Sequence, residues 1–426
     1  MSPVAAAWRD YRDAARAFSP AARAFLLATL FSWTGFGVNQ VLFNLYLVEA
    51  GYRESFVGHA VSMTGFGLAL AALPSGWLAD HWGRRRCLVT GGVIDGLALA
   101  IRALTVHPTA LLATSFVAGF GQSMIAIAAA PYITDHSTPR ERTHLFSAFF
   151  SFQLLAGVSG SLLGGWLPHG LLALPGTGLS RFVAYRITLV TGAVIEILSV
   201  IPLLALHAPA EAPVRRSPIL SDPHGLRVLT RIALFAALLG AGAGLVIPFM
   251  NLYFKTRFAC SSAQIGVFFS LAQVSTALAA LFGPAFARRF GRLRTAVGSQ
   301  LLSIPFMVTL GFENRLGLAV GAFWLRATLM QASMPLLTAF IMESLPLHLR
   351  ARATSMLNLL WNVGWAVSAT LAGGIIQNFG YAVPFTVTGA LYLAATGSFW
   401  LSFRHMREEG TPAPEALTVE AGRSPE

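Results

Sequence analysis

The sequence predicts an all-α integral membrane protein with twelve transmembrane helices in two pseudo-symmetric six-helix bundles. Three observations lead there: composition, a series of long apolar runs, and an internal repeat. Of 426 residues, 55% are hydrophobic and only 11% are charged. Soluble domains carry about 25% charged residues. Too little polar surface remains to coat a water-soluble globule of this length. The apolar runs are continuous, whereas barrel strands alternate at every second residue.

A span needs about 20 apolar residues. On that criterion the first span lies near 24–48 and ends at the turn Glu49-Ala-Gly-Tyr-Arg53. The second lies near 56–79, and the third near 87–106, ended by His107-Pro108. The fourth lies near 110–133, followed by a polar stretch from Asp135 to Arg142. The fifth lies near 145–167, then a Gly/Pro-rich loop, and the sixth near 183–206. Proline and charge around Pro209 to Arg216 exclude a span and mark a linker. Spans seven to twelve lie near 229–253, 262–287, 295–311, 317–341, 353–376 and 382–403.

The resulting plan has five parts. They are an interfacial N-terminal segment (1–23), a first bundle (24–206), a linker (207–228), a second bundle (229–404) and a polar, disordered tail (405–426). The N-terminal segment alternates arginine and aspartate with alanine, and lacks the apolar centre of a cleavable signal.

The net charge is +12, and Lys255 is the only lysine among 30 basic residues. The arginines gather in alternate loops, Arg84 to Arg86, Arg140, Arg142, Arg215, Arg216 and Arg288 to Arg294 among them. This is the positive-inside bias, and it places both termini on the cytoplasmic side. It also accounts for the charge without nucleic acid as a partner. Cys87 and Cys260 fall near opposite faces, which argues against a disulfide between them.

The repeat is legible in order. Phe43-Asn44-Leu45-Tyr46 matches Met250-Asn251-Leu252-Tyr253, and Leu70-Ala-Ala-Leu73 matches Leu278-Ala-Ala-Leu281. Asp135 and Arg142 match Glu343 and Arg350, and Gly164-Gly165 matches Gly373-Gly374. Two parallel six-span halves are a transporter architecture, with the site between them at mid-membrane.

The loop between spans two and three reads Gly76-Trp-Leu-Ala-Asp80-His-Trp-Gly83-Arg84-Arg85-Arg86. With the repeat, it resembles the signature loop of the major facilitator superfamily, and the resemblance covers the whole chain. It implies secondary transport by rocking of two bundles. The glycines suit a tight turn, and Asp80 suits an arginine or a helix N-terminus of the other half. Gly76, Asp80, Gly83 and Arg84 are therefore expected to latch the cytoplasmic side, while Arg85 and Arg86 chiefly set topology. The second copy has Ala287 or Arg288 where the acid would stand. Asp135 with Arg142 and Glu343 with Arg350 are expected to supply complementary charges on the same face. In span five, Ala156, Gly160, Ser161, Gly164 and Gly165 resemble the pattern of drug/proton antiporters of that superfamily, which implies export. Close helix packing explains the same glycines.

Charges inside spans are expensive and usually functional. Asp95 and Glu196 are candidates for proton coupling, because burial favours the neutral form of a carboxyl and lets it load and release a proton. The competing reading is an interhelical hydrogen bond. Asp95 and Arg102 share a helix face but are not an obvious direct pair, and Arg102 is expected to snorkel outwards. The resemblance puts Arg326 on a cavity-lining helix, where it could bind an anionic group or hold one of the acids. Asn39, Gln40, Asn44, Gln122, Asn251, Gln331, Asn358, Trp361 and Asn362 are candidates for binding solute, since amides beside aromatics suit a neutral or amphipathic organic molecule.

No metal-ligand cluster and no P-loop stand in the sequence, so no cofactor is expected. The leading expectation is a monomeric proton-coupled exporter of small amphipathic compounds in a bacterial inner (plasma) membrane. A sugar or metabolite permease of the same fold is the alternative.

Overall fold

A computed structural model describes residues 18–176, 178–205, 223–343 and 347–404, and all regular structure among them is helical. Twelve helices are long and apolar enough to cross a membrane. Spans one to five are Pro20–Glu49, Glu54–Trp82, Arg84–Leu104, Pro108–Asp135 and Pro139–Leu172. Span six is Arg181–Leu198, continued by Val200–Leu204. Span seven is Pro223–Val246, a 3-10 turn Ile247–Phe249, and Met250–Phe258. Spans eight to twelve are Ser262–Phe290, Arg292–Phe312, Leu316–Glu343, Leu347–Phe379 and Ala382–Phe403. Helices satisfy their own backbone groups, which is what lets these segments lie in hydrocarbon.

Helix ends fall where local chemistry puts them. The Ser19 hydroxyl accepts from the Ala22 amide at 3.2 Å, one residue before Pro20. Thr138 with Glu141 and Ser261 with Gln264 form capping boxes that start spans five and eight. Spans two and eight both stop at a glycine with positive φ, Gly83 at 90° and Gly291 at 85°. A side chain would strain either turn. These two glycines are equivalent in the repeat, so the duplication extends to backbone conformation.

Spans five, seven and eleven each start six residues ahead of the expected 145, 229 and 353, at Pro139, Pro223 and Leu347. The linker expected to reach 228 gives way to helix at Pro223, because proline is tolerated in a first helical turn and the helix starts ahead of its apolar run. Span seven is not one continuous helix. Pro248 lacks an amide and clashes with a carbonyl one turn back, and the helix breaks at Ile247–Phe249. The expected N-terminal segment through residue 17, most of the linker and the expected tail lie outside the described residues.

We call the side carrying Gly83 and Arg84 the basic face; an even number of spans puts Pro20 and Phe403 there too. The two halves meet tightly at the opposite end. Gly165 approaches Gly266, and Gly58 approaches Gly373, so closely that an added Cβ would lie 3.0 and 3.2 Å from the partner's Cα. The pairs are related by the repeat. Beside them Ser62 donates to the Ala366 carbonyl at 2.5 Å, and Ser270 donates to the Val158 carbonyl at 3.1 Å, again equivalent contacts. Each half is braced by the same tyrosine. Tyr46 donates to the Ala103 carbonyl at 3.0 Å and Tyr253 to the Leu310 carbonyl at 2.7 Å, tying spans one and seven to the ends of spans three and nine.

Candidate functional site

Between the halves lies a cavity with two lobes. One, of about 290 Å³, is lined by Asn39, Gln40, Phe43, Arg102, Gln122 and Asn362 among others. The second, of about 300 Å³, is lined by Gln273, Arg326, Gln331 and Tyr392 among others. The lobes share Phe36, Gln40, Ile247, Phe269, Trp361 and Trp365. The broken part of span seven and the tryptophans of span eleven therefore form the partition between them.

In the first lobe the polar lining leads into a buried network. Gln122 lines the cavity and donates to the Asp95 carboxylate at 3.3 Å. Asn39 lines the cavity and accepts from Arg102 at 2.7 Å. Arg102 also reaches Ser115 at 3.4 Å and lies over the Phe43 ring at 3.8 Å. It is 3% exposed and lines the cavity, so it does not snorkel. An amide oxygen and an aromatic face on span one give its planar fork better partners inside than a lipid boundary offers.

Asp95 and Arg102 make no direct hydrogen bond, as expected from their spacing, although the arginine's charge acts on the carboxylate. Glu196 is 1% exposed. Its Oε1 accepts from the Ser32 hydroxyl at 2.7 Å, while Oε2 has no hydrogen-bond partner. Asp95 is near enough for its charge to act on Glu196. Span one thus carries, on successive turns, the partner of Glu196 (Ser32), a cavity wall (Phe36) and the partner of Arg102 (Asn39).

Arg326 in the second lobe holds neither acid. Both acids belong to the other half and have partners there. The guanidinium lies beside the Tyr392 hydroxyl, and its Nε and Nη1 have no hydrogen-bond partner.

The remaining amides divide. Gln40, Gln331, Trp361 and Asn362 line the cavity. Asn44 touches the first lobe, but its amide donates to the Pro248 carbonyl at 2.6 Å and to Asn251 at 3.1 Å. Asn251 donates to the Gln40 and Val41 carbonyls at 3.1 and 3.0 Å. Asn251 is 1% exposed and does not line either lobe. This corrects its expected solute-binding role: Asn44 satisfies the Pro248 carbonyl that the broken helix exposes, and Asn251 ties span seven to the backbone of span one. Asn358 is exposed, lines neither lobe and bonds the Thr354 carbonyl of its own helix at 3.0 Å.

At the basic face, Arg84 pairs with Asp135 and donates to the Pro131 carbonyl at 3.2 Å. Arg142 instead reaches Ser137 at 3.5 Å and the Thr134 carbonyl at 3.2 Å. Asp135 and Arg142 both lie at the basic face, but Asp135 pairs with Arg84 at the start of span three and not with Arg142 on span five. Arg85 donates to the Leu203 and Leu204 carbonyls at 2.7 and 3.0 Å. It caps the end of span six and does more than set topology. Asp80 is half-buried, and Gly76 lies one turn before it. The side chains of Glu343 and Arg350 lie outside the description.

In span five, Gly160 meets the Thr34 carbonyl, Gly164 meets Val38, and Gly165 meets the Ser262 carbonyl. Close packing against spans one and eight accounts for all three. Sequence reasoning missed the role of Pro248, although a proline within a long apolar run was the available signal. It also missed Tyr392, whose partner is distant in sequence. Among the described residues no group of three or more His, Cys, Asp or Glu could hold a metal, and both cysteines are free.

Two six-span halves around a polar-lined central cavity define a membrane transporter rather than an enzyme. The family model described as Major Facilitator Superfamily matches residues 25–231 and 232–424. The chain belongs to the Major Facilitator Superfamily.

It is 25% identical over 150 residues to the niacin transporter NiaP of Acinetobacter baylyi, covering 35% of this chain and 34% of that protein. It is 27% identical over 134 residues to the multidrug resistance protein MdtH of Photorhabdus laumondii, covering 31% and 33%. The matched stretches thus span about a third of these relatives. In fold it is similar to the crystal structure of the nucleoside transporter NupG, with TM-score 0.70, 14% identity, and 90% of this chain and 99% of that chain covered. It is also similar to a bacterial homolog of the human lysosomal transporter Spinster in an inward-facing and occupied conformation, with TM-score 0.71, 17% identity, and 90% and 96% covered.

Proposed function

We propose that this protein is a proton-coupled secondary transporter that exports small amphipathic organic solutes by alternating access. The observation that carries the reading is the link from cavity to buried acid. Gln122 faces the solute space and bonds Asp95, and Glu196 keeps one unpartnered oxygen close by. A carboxyl with a free oxygen beside a cavity can take up or release a proton as the hydration of that cavity changes. Solute and proton then bias one and the same equilibrium.

The cavity supports the amphipathic solute. Tryptophan and phenylalanine supply its walls, and a few amides and two arginines supply its polar points. Similarity to a multidrug resistance protein supports export. The arginine-rich loops support a basic face that is cytoplasmic in a bacterial inner membrane. With the opposite end closed by the glycine crossings, this conformation is then the one that admits solute from the cytoplasm. The protein acts as a monomer, since each chain holds a whole cavity.

The test is a proteoliposome assay with a trapped pH indicator and a panel of amphipathic compounds. Proton movement evoked by a solute supports the reading. Equilibration of the solute without proton movement overturns coupling. It favours instead a sugar or metabolite permease, to which the cavity amides Gln40, Gln331 and Asn362 are suited.

A further inference from the structure

The two cavity arginines are not equivalent. Arg102 is already engaged by Asn39, Ser115 and the Phe43 ring, with Asp95 as its counter-charge. Arg326 is 5% exposed and lines the second lobe, yet its Nε and Nη1 donate to nothing. Its neighbour is the Tyr392 hydroxyl, a neutral group that is itself buried. Among the described residues no carboxylate makes an ion pair with it. A guanidinium keeps its charge under all ordinary conditions, so it does not escape the penalty of burial by neutralising. A buried, unpaired cation is a poor structural element. It is a good receptor for an anion that arrives from outside.

The surroundings say what kind of anion fits. Trp361 and Trp365 stack at 6.4 Å between centroids and form one wall. Phe323, Met330 and Met334 add apolar surface. The lobe therefore has one fixed positive fork with one hydroxyl beside it, neutral polar points from Gln40, Gln273, Thr276 and Gln331, and aromatic and thioether walls. A guanidinium fork matches the two oxygens of a carboxylate, and the Tyr392 hydroxyl is placed to donate to the same group. A planar apolar body then lies against the tryptophans.

We propose that the solute is an organic acid with an aromatic or similarly flat apolar body, and that Arg326 and Tyr392 bind its carboxylate in the second lobe. This rests on the transporter reading above and names the substrate class of that site. The first lobe, with its acid-linked amides, remains the place where the proton is handled.

The experiment compares 1-naphthoate with 1-naphthamide, which has nearly the same shape without the charge. Binding to purified full-length protein is read from quenching of tryptophan fluorescence. Saturable binding of the acid, with the amide at least tenfold weaker, is expected. Arg326→Met should abolish the preference for the acid, and Arg326→Lys should lower affinity for it severalfold, since a point charge lacks the fork. Tyr392→Phe should have a smaller effect in the same direction. Thermal unfolding of each variant confirms that it is folded. If Arg326→Met does not fold, Arg326→Lys and Tyr392→Phe carry the test. Equal binding of acid and amide, an unchanged preference in the folded variants, or no saturable binding of the acid each overturns the proposal. Proton movement in liposomes reports separately on the transporter reading. Acid-selective binding without proton flux sinks coupling and leaves this assignment standing.

Discussion

Asn44 on span one donates a hydrogen bond of 3.1 Å to Asn251 on span seven, its own counterpart in the repeat. The pair joins the two halves at the break caused by Pro248, whose carbonyl also accepts from Asn44 at 2.6 Å. Removing Asn44 strips the Pro248 carbonyl of a buried donor, and removing Asn251 breaks its bonds to Asn44 and to the Gln40 and Val41 carbonyls, each at about 1–3 kcal/mol. Asn44→Ala or Asn251→Ala should therefore shift the population towards opening at the opposite face by roughly 5–150-fold. Distances between spin labels on spans one and seven measure this. Unchanged distance distributions in both variants would remove the pair from the conformational equilibrium.

The glycine crossings offer an internally controlled comparison. A Cβ on Gly58 would lie 2.6 Å from the Ala369 carbonyl, and one on Gly266 would lie 2.4 Å from the Ser161 carbonyl. Overpacking of this kind costs about 1–3 kcal/mol. Gly58→Ala and Gly266→Ala should produce similar increases in labelling of a cysteine placed in the cavity by a reagent added at the opposite face. A large effect from only one would show that the halves do not share the closure equally.

Glu196→Gln keeps the hydrogen bond from Ser32 and removes the ionisable group. Substrate-evoked proton flux should vanish, while solute exchange at equal pH on both sides should persist at near wild-type rate. Retained proton flux would move the coupling site to Asp95, for which Asp95→Asn is the companion measurement.

At the basic face, a double-mutant cycle on Arg84 and Asp135 should return a coupling of about 1 kcal/mol in thermal stability, because the pair is only partly exposed. The cycle on Asp135 and Arg142 should return a coupling close to zero. The reverse ordering would contradict the contacts described here. Asp80→Asn should slow transport in reconstituted vesicles without preventing membrane insertion. Normal rates would reduce Asp80 to a structural part of its loop.

The spans were legible because hydropathy is a local property, and all twelve ranges overlap the helices observed. Gly83 was legible as a tight turn, and its positive φ bears this out. Arg102 was misread because its direction depends on Asn39 and Phe43, residues about sixty positions earlier on span one. Arg85 was underrated for the same reason, since the carbonyls it caps lie 118 and 119 residues away. Asn44 and Asn251 were recognised as a repeated pair, but nothing in the sequence says that the two copies touch. Residue type shows what a group can bond, and only the packing of helices distant in sequence shows what it does bond.

The crossings of Gly58 with Gly373 and of Gly165 with Gly266 also bear on speed. No side chain projects between the helices at these four positions, so the halves part there without any rotamer having to be withdrawn and reinserted. Motion at these points meets little friction. The pace at which the molecule changes sides is then set by the hydrogen bonds that must break, those of Asn44, Asn251, Ser62, Ser262 and Ser270 among the described residues. A transporter built this way tunes its turnover by editing polar atoms while its contact surfaces stay the same.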